Sequence, residues 1–167
     1  MTSRTILKER DSKPLIEQLR RLPSLNQLSS KSRVELEEVK QDQVVFVDGQ
    51  PIAFRRSDQL IPVLVNTDTL PQMPRVVVDM GAVPHVVAGA DVMAPGVRRI
   101  EGEFGSSTLV VVVDEKYGKS LAVGRTLLDS KALASTRKGK VVENLHYVGD
   151  QIWEVVKGFS RQNLASS

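Results

Sequence analysis

Apolar positions in the N-terminal part of the chain follow a helical period in one segment and form short runs typical of strands in several others. Between residues 15 and 22 the apolar side chains recur at helical spacing, which predicts a helix over DSKPLIEQLRRLP. Asp11 or Ser12 can cap this helix. Pro14 then falls in the first turn, where its missing N–H does no harm.

Short β patterns surround this helix. Valine, isoleucine and phenylalanine dominate them, and these residues favour a pleated, half-buried surface. Asp48-Gly49 lies between two of the patterns and is the strongest short signal for a β-hairpin. The segments predicted as strands are RTILKER, RVELEEVK, QVVFVD, PIAFRR and IPVLVN.

A change in composition divides the chain at residues 67–74. This segment, TDTLPQMP, contains two prolines, which cannot pair in a central strand, and it lacks the valines that flank it. We therefore predict an N-terminal domain over residues 1–74, a second domain over residues 75–157 and a tail over residues 158–167.

The second part of the chain is a series of short valine-rich strands with little helix. The turn Lys116-Tyr117-Gly118-Lys119 joins two strands as a hairpin, and a short helix is predicted from Asp129 to Ser135. Short strands at regular spacing favour a small barrel over a βαβ sheet. The predicted fold class is therefore α+β, with a small N-terminal α/β domain of antiparallel strands before the barrel. The other predicted elements are RVVVD, the helix-like MGAVPHVVAGA, LVVVVDE, SLAVGRTLL and a final run VENLHYVGDQIWEVV.

Composition limits the class of protein. Hydrophobic residues make up 41% of the chain and aromatic ones only 4%, so the cores must be aliphatic. The lack of cysteine excludes disulfides, a thiolate nucleophile and a Cys-ligated zinc. No signal peptide is recognised, and no apolar run approaches the roughly 18 residues of a membrane span. We therefore expect a soluble, cytoplasmic protein without membrane contact.

Positive charge is weak over the whole chain and concentrated in one segment. A net charge of +3 is compatible with nucleic acid but does not by itself indicate it. Between residues 130 and 140, however, Lys131, Arg137, Lys138 and Lys140 occur without any acid. Lys138 and Lys140 share one face if the chain is extended, which favours phosphate contact. A solvated loop is the other interpretation of such a run.

Residues that usually carry catalysis are sparse. His146 and Tyr147 are followed by Asp150, but no nucleophile or metal set accompanies them, and a packed β-strand histidine is the commoner case. His85 has no second ligand at metal spacing. The segment GRTLLDSK lacks the pattern of a phosphate-binding loop. We predict a protein that is not an enzyme and has no metal site and no cofactor.

Four sequence blocks resemble a known RNA-binding module. GADVMAPGV at residues 89–97 combines a Gly-Ala step with a Pro-Gly turn, which allows close approach of the main chain to another molecule. The others are AVG at residues 122–124, KGK at 138–140 and LHYVGDQIW at 145–153. In this order they resemble the PUA domain, a pseudo-barrel named for pseudouridine synthases and archaeosine transglycosylases. The resemblance implies a PUA barrel over residues 75–157.

The sequence VFVDGQPIAFRRSDQLIPVL, residues 45–64, is similar to the hairpin that precedes the PUA domain in the malignant T-cell-amplified-sequence family. The similarity extends over nearly the whole chain and fits an archaeal stand-alone member. It implies a non-enzymatic protein that binds structured RNA, tRNA or ribosomal RNA, on the small ribosomal subunit during initiation, recycling or reinitiation. Eukaryotic members act with density-regulated protein. Arg55 and Arg56 of the N-terminal domain are candidates for contact with ribosomal RNA or a protein partner, or are edge charges in solvent.

In PUA modules the RNA surface comprises the first helix, the strand after it and part of the last strand. Small residues there let a ribose-phosphate chain lie on backbone N–H groups while arginines neutralise phosphate. The same segment also fits a tight corner with Val92 and Val97 in the core. Arg98 and Arg99 are adjacent in a strand, so only one can face a common ligand. The predicted RNA-binding residues are Gly89, Ala90, Asp91, Met93, Pro95, Gly96, Val97, Arg98, Arg99, Arg137, Lys138 and Lys140.

Three other functions fit the same pattern. Some ribosome-biogenesis factors pair a small N-terminal domain with a PUA module, and PUA domains are often attached to RNA-modifying enzymes. The N-terminal part, about 74 residues without a nucleophilic cysteine, metal cluster or cofactor loop, is small for a catalytic domain. A protein-interaction module whose barrel has lost RNA affinity is the third.

Overall fold

A computed structural model describes residues 4–160 as two compact units. Residues 4–72 and 154–160 form the first unit, and residues 73–153 form the second. Each unit is built on its own β-sheet. Within the described part of the chain, no helix has the length and apolarity that a membrane crossing requires.

The first unit contains a five-stranded antiparallel meander, in which strands adjacent in sequence are adjacent in space. Asp48 and Gly49 connect two strands with positive φ angles of 50° and 86°, as in a two-residue primed turn. This hairpin and the strands on its two sides are confirmed, whereas RTILKER is strand only at Arg4–Ile6 and IPVLVN only at its first two residues. The elements are β1 (Arg4–Ile6), α1 (Glu9–Leu19), β2 (Val34–Val39), β3 (Asp42–Val47), β4 (Gln50–Arg56) and β5 (Gln59–Pro62).

Helix α1 packs on the sheet through its apolar stripe. Leu15, Ile16 and Leu19 are buried in one cluster with Val34 of β2 and Val45 of β3. The periodicity that predicted the helix is therefore the periodicity of its buried face.

The start of α1 differs from the prediction. The helix begins at Glu9, so Pro14 lies inside it rather than in its first turn and removes one backbone hydrogen bond. The N–H of Leu7 donates to the carbonyl of Val34 at 2.9 Å, which holds the chain beside β2 up to that point. The helix then follows directly, and no side chain caps it at Lys8. Strand pairing, rather than a capping residue, sets where this helix starts.

The proline-rich segment at residues 67–74 is anchored to the first unit. The N–H of Thr69 donates to Asn66 Oδ1 at 3.2 Å, and its hydroxyl donates to the carbonyl of Pro23 at 2.9 Å. Thr69 and Leu70 are both buried, and Leu70–Gln72 form a 3₁₀ turn. The segment is a packed connection, and the domain boundary placed there stays a prediction.

The last described residues pack on the first sheet. The ring of Phe159 meets that of Phe46 edge-on, with centroids 5.6 Å apart. The guanidinium of Arg4 lies 4.3 Å from the centroid of Phe46. Phe159 belongs to the segment that the sequence analysis assigned to a tail, and its packing is a long-range contact that local sequence does not indicate.

The second unit contains six strands in the order β7-β11-β10-β9-β6-β8. Neighbouring strands are antiparallel except β6 and β9, which are parallel. The elements are β6 (Arg75–Val78), α2 (Val83–Val86), β7 (Val92–Met93), β8 (Val97–Glu101), β9 (Leu109–Asp114), β10 (Ser120–Thr126), α3 (Ser130–Ser135) and β11 (Lys140–Tyr147). Helix α4 (Gln151–Val156) begins in this unit, and its last three residues belong to the first.

This second sheet is curled into a half-barrel. Strands β7 and β8 lie at opposite ends of the strand order, and only the 3₁₀ turn Ala94–Gly96 separates them in sequence. In a flat six-stranded sheet the edge strands would be about 24 Å apart. The chain from Met93 to Val97 spans no more than about 14 Å. The edges must therefore approach each other, which confirms the small barrel and the α+β fold class.

The barrel core is aliphatic, as the composition predicted. Its buried cluster is dominated by valines such as Val76, Val110 and Val142. Gly124 lies at a β-bulge between β10 and β11, where an added Cβ would come 2.5 Å from Val142 Cγ1 and 2.6 Å from the carbonyl oxygen of Glu143. Only glycine allows the two strands to approach this closely.

The run VENLHYVGDQIWEVV divides into strand β11 and helix α4. Asp150 caps α4, because its carboxylate accepts the N–H of Trp153 at 2.7 Å and that of Tyr147 at 3.0 Å. It also accepts a hydrogen bond from Nδ1 of the fully buried His146 at 2.9 Å. Burial raises the pKa of Asp150, but His146 and these backbone donors outweigh it and hold that pKa below its usual range. His146 is a packed strand histidine, as predicted.

Candidate nucleic-acid interface

A groove of about 540 Å³ lies where the sequence GADVMAPGV forms the corner between the two edge strands of the barrel. Helix α2 borders one side of it, and the 3₁₀ turn and β7 border the other. Its lining combines small and apolar residues with two acids and one histidine: Asp79, Gly81, Ala82, His85, Val86, Ala90, Asp91, Val92, Met93, Pro95 and Gly96.

Asp79 joins the two sides of this groove. Its Oδ1 accepts the N–H of Ala82 at 2.8 Å, just before α2. Its own N–H donates to the carbonyl of Gly96 at 2.9 Å, at the end of the 3₁₀ turn. Because α2 has only four residues, these bonds rather than helix propensity hold it against the corner.

Asn144 of β11 fixes the loop between α2 and β7. Its side-chain amide donates to the carbonyls of Val86 and Ala90, both at 3.0 Å. Its backbone N–H donates to Asp91 Oδ1 at 2.8 Å. The strand thus replaces hydrogen bonds that the irregular loop cannot make within itself.

The basic segment and the groove are adjacent. Strand β7 pairs with β11 so that Met93 lies opposite Lys140, and the N–H of Ala94 donates to the carbonyl of Gly139 at 2.8 Å. Nζ of Lys140 lies 3.3 Å from Asp91 Oδ2. The structure therefore places together two predicted groups that are more than 40 residues apart in sequence.

Arg137 and Lys138 are exposed beside this ion pair. Among residues 4–160, neither of them forms an ion pair with a carboxylate. Lys131 lies in α3 instead of in the basic loop. Two cations without a carboxylate partner thus remain next to the groove, while the charge of Lys140 is partly balanced by Asp91.

Gly89 has a packing role that differs from the exposed backbone expected of it. Its φ is +98°, and an added Cβ would come 3.0 Å from the hydroxyl oxygen of Tyr147. The tyrosine therefore lies where a side chain at residue 89 would stand, and the RNA contact predicted for Gly89 stays a prediction. A left-handed backbone and a close ring both require glycine here.

The two arginines of β8 are engaged with acids. Nε of Arg98 lies 2.9 Å from Glu115 Oε2, and Nε of Arg99 lies 3.2 Å from Glu101 Oε2. Both side chains remain more than half exposed. Val97 is half-buried and packs against the barrel core, which agrees with the corner interpretation.

Exposed methionines flank the groove. Met93 is 50% exposed and Met80 is 38% exposed, and both offer flexible, polarizable surface for contact with a ligand. Sequence reasoning missed Met80, Asp79 and Asn144. The first two directly precede α2 and were close to the predicted segment, but Asn144 carries no local signal because its partners are 54 and 58 residues away.

A larger depression of about 730 Å³ lies beyond the other end of β8. Two of its polar side chains are used within the fold: Asp129 caps α3 by accepting the N–H of Ala132 at 2.7 Å, and the hydroxyl of Ser130 bonds to the backbone of Phe104. We place the candidate site at the smaller groove because the basic loop adjoins it.

The two N-terminal arginines proposed for partner contact are also held internally. Arg56 makes a two-bond pair with Asp42, at 3.0 and 2.9 Å, and Arg55 Nε donates to Gln43 at 2.9 Å. In residues 4–160 no cluster of three or more His, Asp or Glu is arranged to hold a metal ion. The chemistry available at the groove is binding by shape, apolar contact and charge.

Comparison with known families assigns both parts of the chain. Residues 74–148 match the PUA domain, and residues 3–66 match a domain of unknown function called DUF1947.

Similar sequences occur in archaea and eukaryotes. An uncharacterized protein of Methanocaldococcus jannaschii is 40% identical over 127 residues, which cover 75% of this chain and 78% of that protein. Translation machinery-associated protein 20 of Saccharomyces cerevisiae is 31% identical over 134 residues, covering 75% and 74%. Malignant T-cell-amplified sequence 2 of Homo sapiens is 29% identical over 118 residues, covering 68% and 65%.

Solved structures show the same fold over almost the whole length. A hypothetical protein from Pyrococcus horikoshii has a TM-score of 0.76 and 35% identity, covering 92% of this chain and 99% of that one. A PUA-domain structure from Aeropyrum pernix, described as a tartrate complex, has a TM-score of 0.79 and 26% identity, covering 94% and 92%.

Proposed function

Because this chain belongs to the family of PUA-domain proteins that includes translation machinery-associated protein 20 and the malignant T-cell-amplified sequences, we propose that it is a non-enzymatic RNA-binding protein of translation. Its target in this proposal is tRNA or the ribosomal RNA of the small subunit. The observation that carries the proposal is the pairing of β7 with β11, which sets the basic loop beside the apolar groove.

The groove and the loop fit two parts of one nucleotide. Exposed apolar surface at Met93 and Pro95 can contact an unstacked base, and RNA recognition commonly uses such splayed bases. Arg137 and Lys138 can neutralise the adjoining phosphates. Phosphate contacts would set the position of the RNA, and the shape of the groove would select the base.

The acids of the groove favour one orientation of the ligand. Asp79 and Asp91 line it, and carboxylates repel phosphate. The sugar-phosphate chain is therefore expected along the rim formed by the basic loop, with the base directed inward. This arrangement also limits the non-specific attraction of any polyanion to the groove itself.

Binding to translation RNAs tests the proposal. The protein would be titrated with bulk tRNA, with purified small ribosomal subunits and with an RNA duplex at several salt concentrations. We expect tRNA or small subunits to bind more tightly than the duplex, with affinity that falls as salt rises. The absence of binding to all three by folded protein at low salt would contradict the proposal.

A groove variant provides a matched test. Met93→Asp introduces a carboxylate at an exposed position and should weaken binding by phosphate repulsion without unfolding the barrel. Ile6→Asp makes the same change at a residue that is 62% exposed and lies in β1 of the first unit, and it should bind as the unmodified protein does. Cosedimentation with large-subunit precursors instead of mature small subunits would favour a ribosome-biogenesis factor.

A further inference from the structure

The hairpin between β9 and β10 displays an aromatic ring between two lysines. Tyr117 is 65% exposed, which is unusual for one of the few aromatic residues of this chain. Nζ of Lys116 lies 5.1 Å from its ring centroid. Among residues 4–160, neither Lys116 nor Lys119 forms an ion pair with a carboxylate.

The turn that carries Tyr117 is held from below by one carboxylate. Asp114 accepts backbone N–H groups from Lys116 at 2.9 Å, from Lys119 at 3.0 Å and from Tyr117 itself. Burial raises the pKa of Asp114, but these donors outweigh it and keep that pKa below its usual range. The carboxylate is thus ionised at neutral pH, and it bonds only to main chain at the tip, so the exposed side chains are not needed to form the turn.

The hairpin tip adjoins the β6 side of the groove, at the end of β10 opposite to the one that neighbours the basic loop. Val78 of β6 is in register with Asp114 of the parallel strand β9, and the N–H of Glu115 donates to the carbonyl of Val78 at 2.9 Å. The next residue in the chain, Asp79, lines the groove. Arg98, two residues past the groove, is paired with Glu115 on the hairpin. A backbone hydrogen bond and an ion pair therefore connect the hairpin to residues next to the groove.

We propose that Tyr117, Lys116 and Lys119 form a second RNA contact, which takes an unpaired stretch of the strand that occupies the groove. Tyr117 stacks on one base, and the two lysines bind the phosphates on either side of it. Aromatic stacking tolerates any base, and flanking cations track the backbone. The inference rests on the proposed function, because the hairpin would extend the same site.

The charge at the tip favours RNA over a protein partner as the occupant. Lys116 adjoins the ring, and Lys119 follows it in the turn. The two acids of the hairpin are engaged elsewhere, Asp114 with backbone N–H groups and Glu115 with Arg98. The exposed lysines at the tip therefore complement a polyanion. Nothing on the tip supplies the apolar surroundings that make a buried tyrosine anchor in a protein interface. If the RNA measurements below show no contact at the tip, a protein partner becomes the favoured occupant.

Substitutions at the tip test the contact directly. Binding would be measured with bulk tRNA and with a single-stranded RNA oligomer of about ten nucleotides, a length within the usual site size. Tyr117→Ala should weaken binding by about 5- to 100-fold, while Tyr117→Phe, which keeps the ring, should stay within about twofold. Ile6→Ala is the control at an exposed apolar residue of β1 in the first unit and should change nothing.

Two further readouts separate stacking from charge. The double variant Lys116→Gln/Lys119→Gln should make the log–log salt slope on the oligomer shallower by about 1.4, whereas Tyr117→Ala should leave the slope unchanged. Ultraviolet crosslinking of an oligomer that contains 4-thiouridine, followed by mass spectrometry, should identify the peptide that holds Tyr117. If neither RNA binds the unmodified protein, the proposed function fails and the inference with it. If RNA binds and folded Tyr117→Ala binds equally well, the inference alone is overturned.

Discussion

At the scale of single residues, the corner of the groove depends on one glycine and one tyrosine. Gly89 adopts a φ of +98° while the hydroxyl of Tyr147 occupies the space next to it. Gly149 has a similar φ of +101°, but a Cβ added there would meet no atom of the described residues within 4 Å. The two glycines therefore differ in steric contact and agree in backbone strain.

Gly89→Ala should lower the free energy of unfolding by about 2 to 4 kcal/mol, since it combines left-handed strain with a steric contact. Gly149→Ala should cost about 1 to 2 kcal/mol, from strain alone. Urea unfolding followed by the fluorescence of Trp153, the sole tryptophan, measures both. Equal losses of unfolding free energy in the two variants would show that Tyr147 moves aside without destabilising the fold. RNA affinity per folded molecule should be little changed by Gly89→Ala.

Asp150→Asn should lower the free energy of unfolding at pH 7 by about 1 to 3 kcal/mol, because the amide loses the charge that His146 and two backbone N–H groups favour. The folded-state pKa of Asp150 is lowered. Its stabilisation is therefore present above the unfolded value of about 3.9 and is lost as pH falls through the folded value.

Unfolding free energies measured from neutral to acidic pH should show a smaller loss of stability in Asp150→Asn than in the unmodified protein. Glu154→Gln, at an exposed carboxylate of the same helix, is the control and should keep the unmodified pH dependence. Parallel pH curves for Asp150→Asn and the unmodified protein would contradict the assignment.

At the scale of elements, the proposed RNA surface exists because one short strand joins two segments. Strand β7 has only two residues, yet it pairs Met93 with Lys140 and Val92 with Val142. This pairing converts the loop before β11 from an isolated basic run into the rim of the groove. The pairing of β7 with β11, and not the run of basic residues by itself, favours phosphate contact over a solvated loop.

Replacing Arg137, Lys138 and Lys140 with glutamine should make the log–log salt slope shallower by roughly 2 to 3 units on a duplex and less on single strands. Affinity should fall for every RNA alike, because phosphate contacts do not read bases. The variant Lys8→Gln/Lys13→Gln/Arg21→Gln removes the same charge from exposed positions of the first unit and should leave the slope unchanged. An unaltered slope in the first variant would identify the loop as a solvated turn.

At the scale of the whole molecule, the chain returns to its first unit after completing the second. Residues 154–160 group with residues 4–72, and Phe159 packs on Phe46 of β3. The first sheet thus depends on a segment about 110 residues away in sequence from β3. A cut in the connection at residues 67–74 would therefore leave residues 154–160, which belong to the first unit, on the same fragment as the second unit.

Phe159→Ala should loosen the first unit and not the second. The ring that it removes contacts Phe46 and Arg4, and both belong to the first sheet. Hydrogen exchange followed by mass spectrometry should show faster exchange in β3, with β9 and β10 unchanged. Lys157→Ala, at an exposed residue of the 3₁₀ turn Lys157–Phe159, should not have this effect. Faster exchange spread over both units would contradict this dependence.

Local sequence was sufficient for most elements and for the family. Periodicity identified α1, Asp48-Gly49 identified its hairpin, and Asp129 marked the start of α3, because each signal involves residues within one turn or one strand. The resemblance to the PUA domain and to the malignant T-cell-amplified-sequence family is confirmed by the matches over residues 74–148 and by relatives that cover most of the chain. The predicted RNA-binding residues stay predictions.

Contacts between distant segments decided what sequence could not show. The start of α1 follows from the hydrogen bond between Leu7 and Val34. Capping rules consider only residues near the helix end and cannot predict this bond. Pairing of β7 with β11 brings Lys140 to Asp91, and a single side chain, Asn144, fixes the loop of the groove. Sequence by itself determined which residues prefer strand, helix or turn, since those preferences are local. Only the tertiary structure decided which cations meet the groove, because that depends on strand register and sheet curvature.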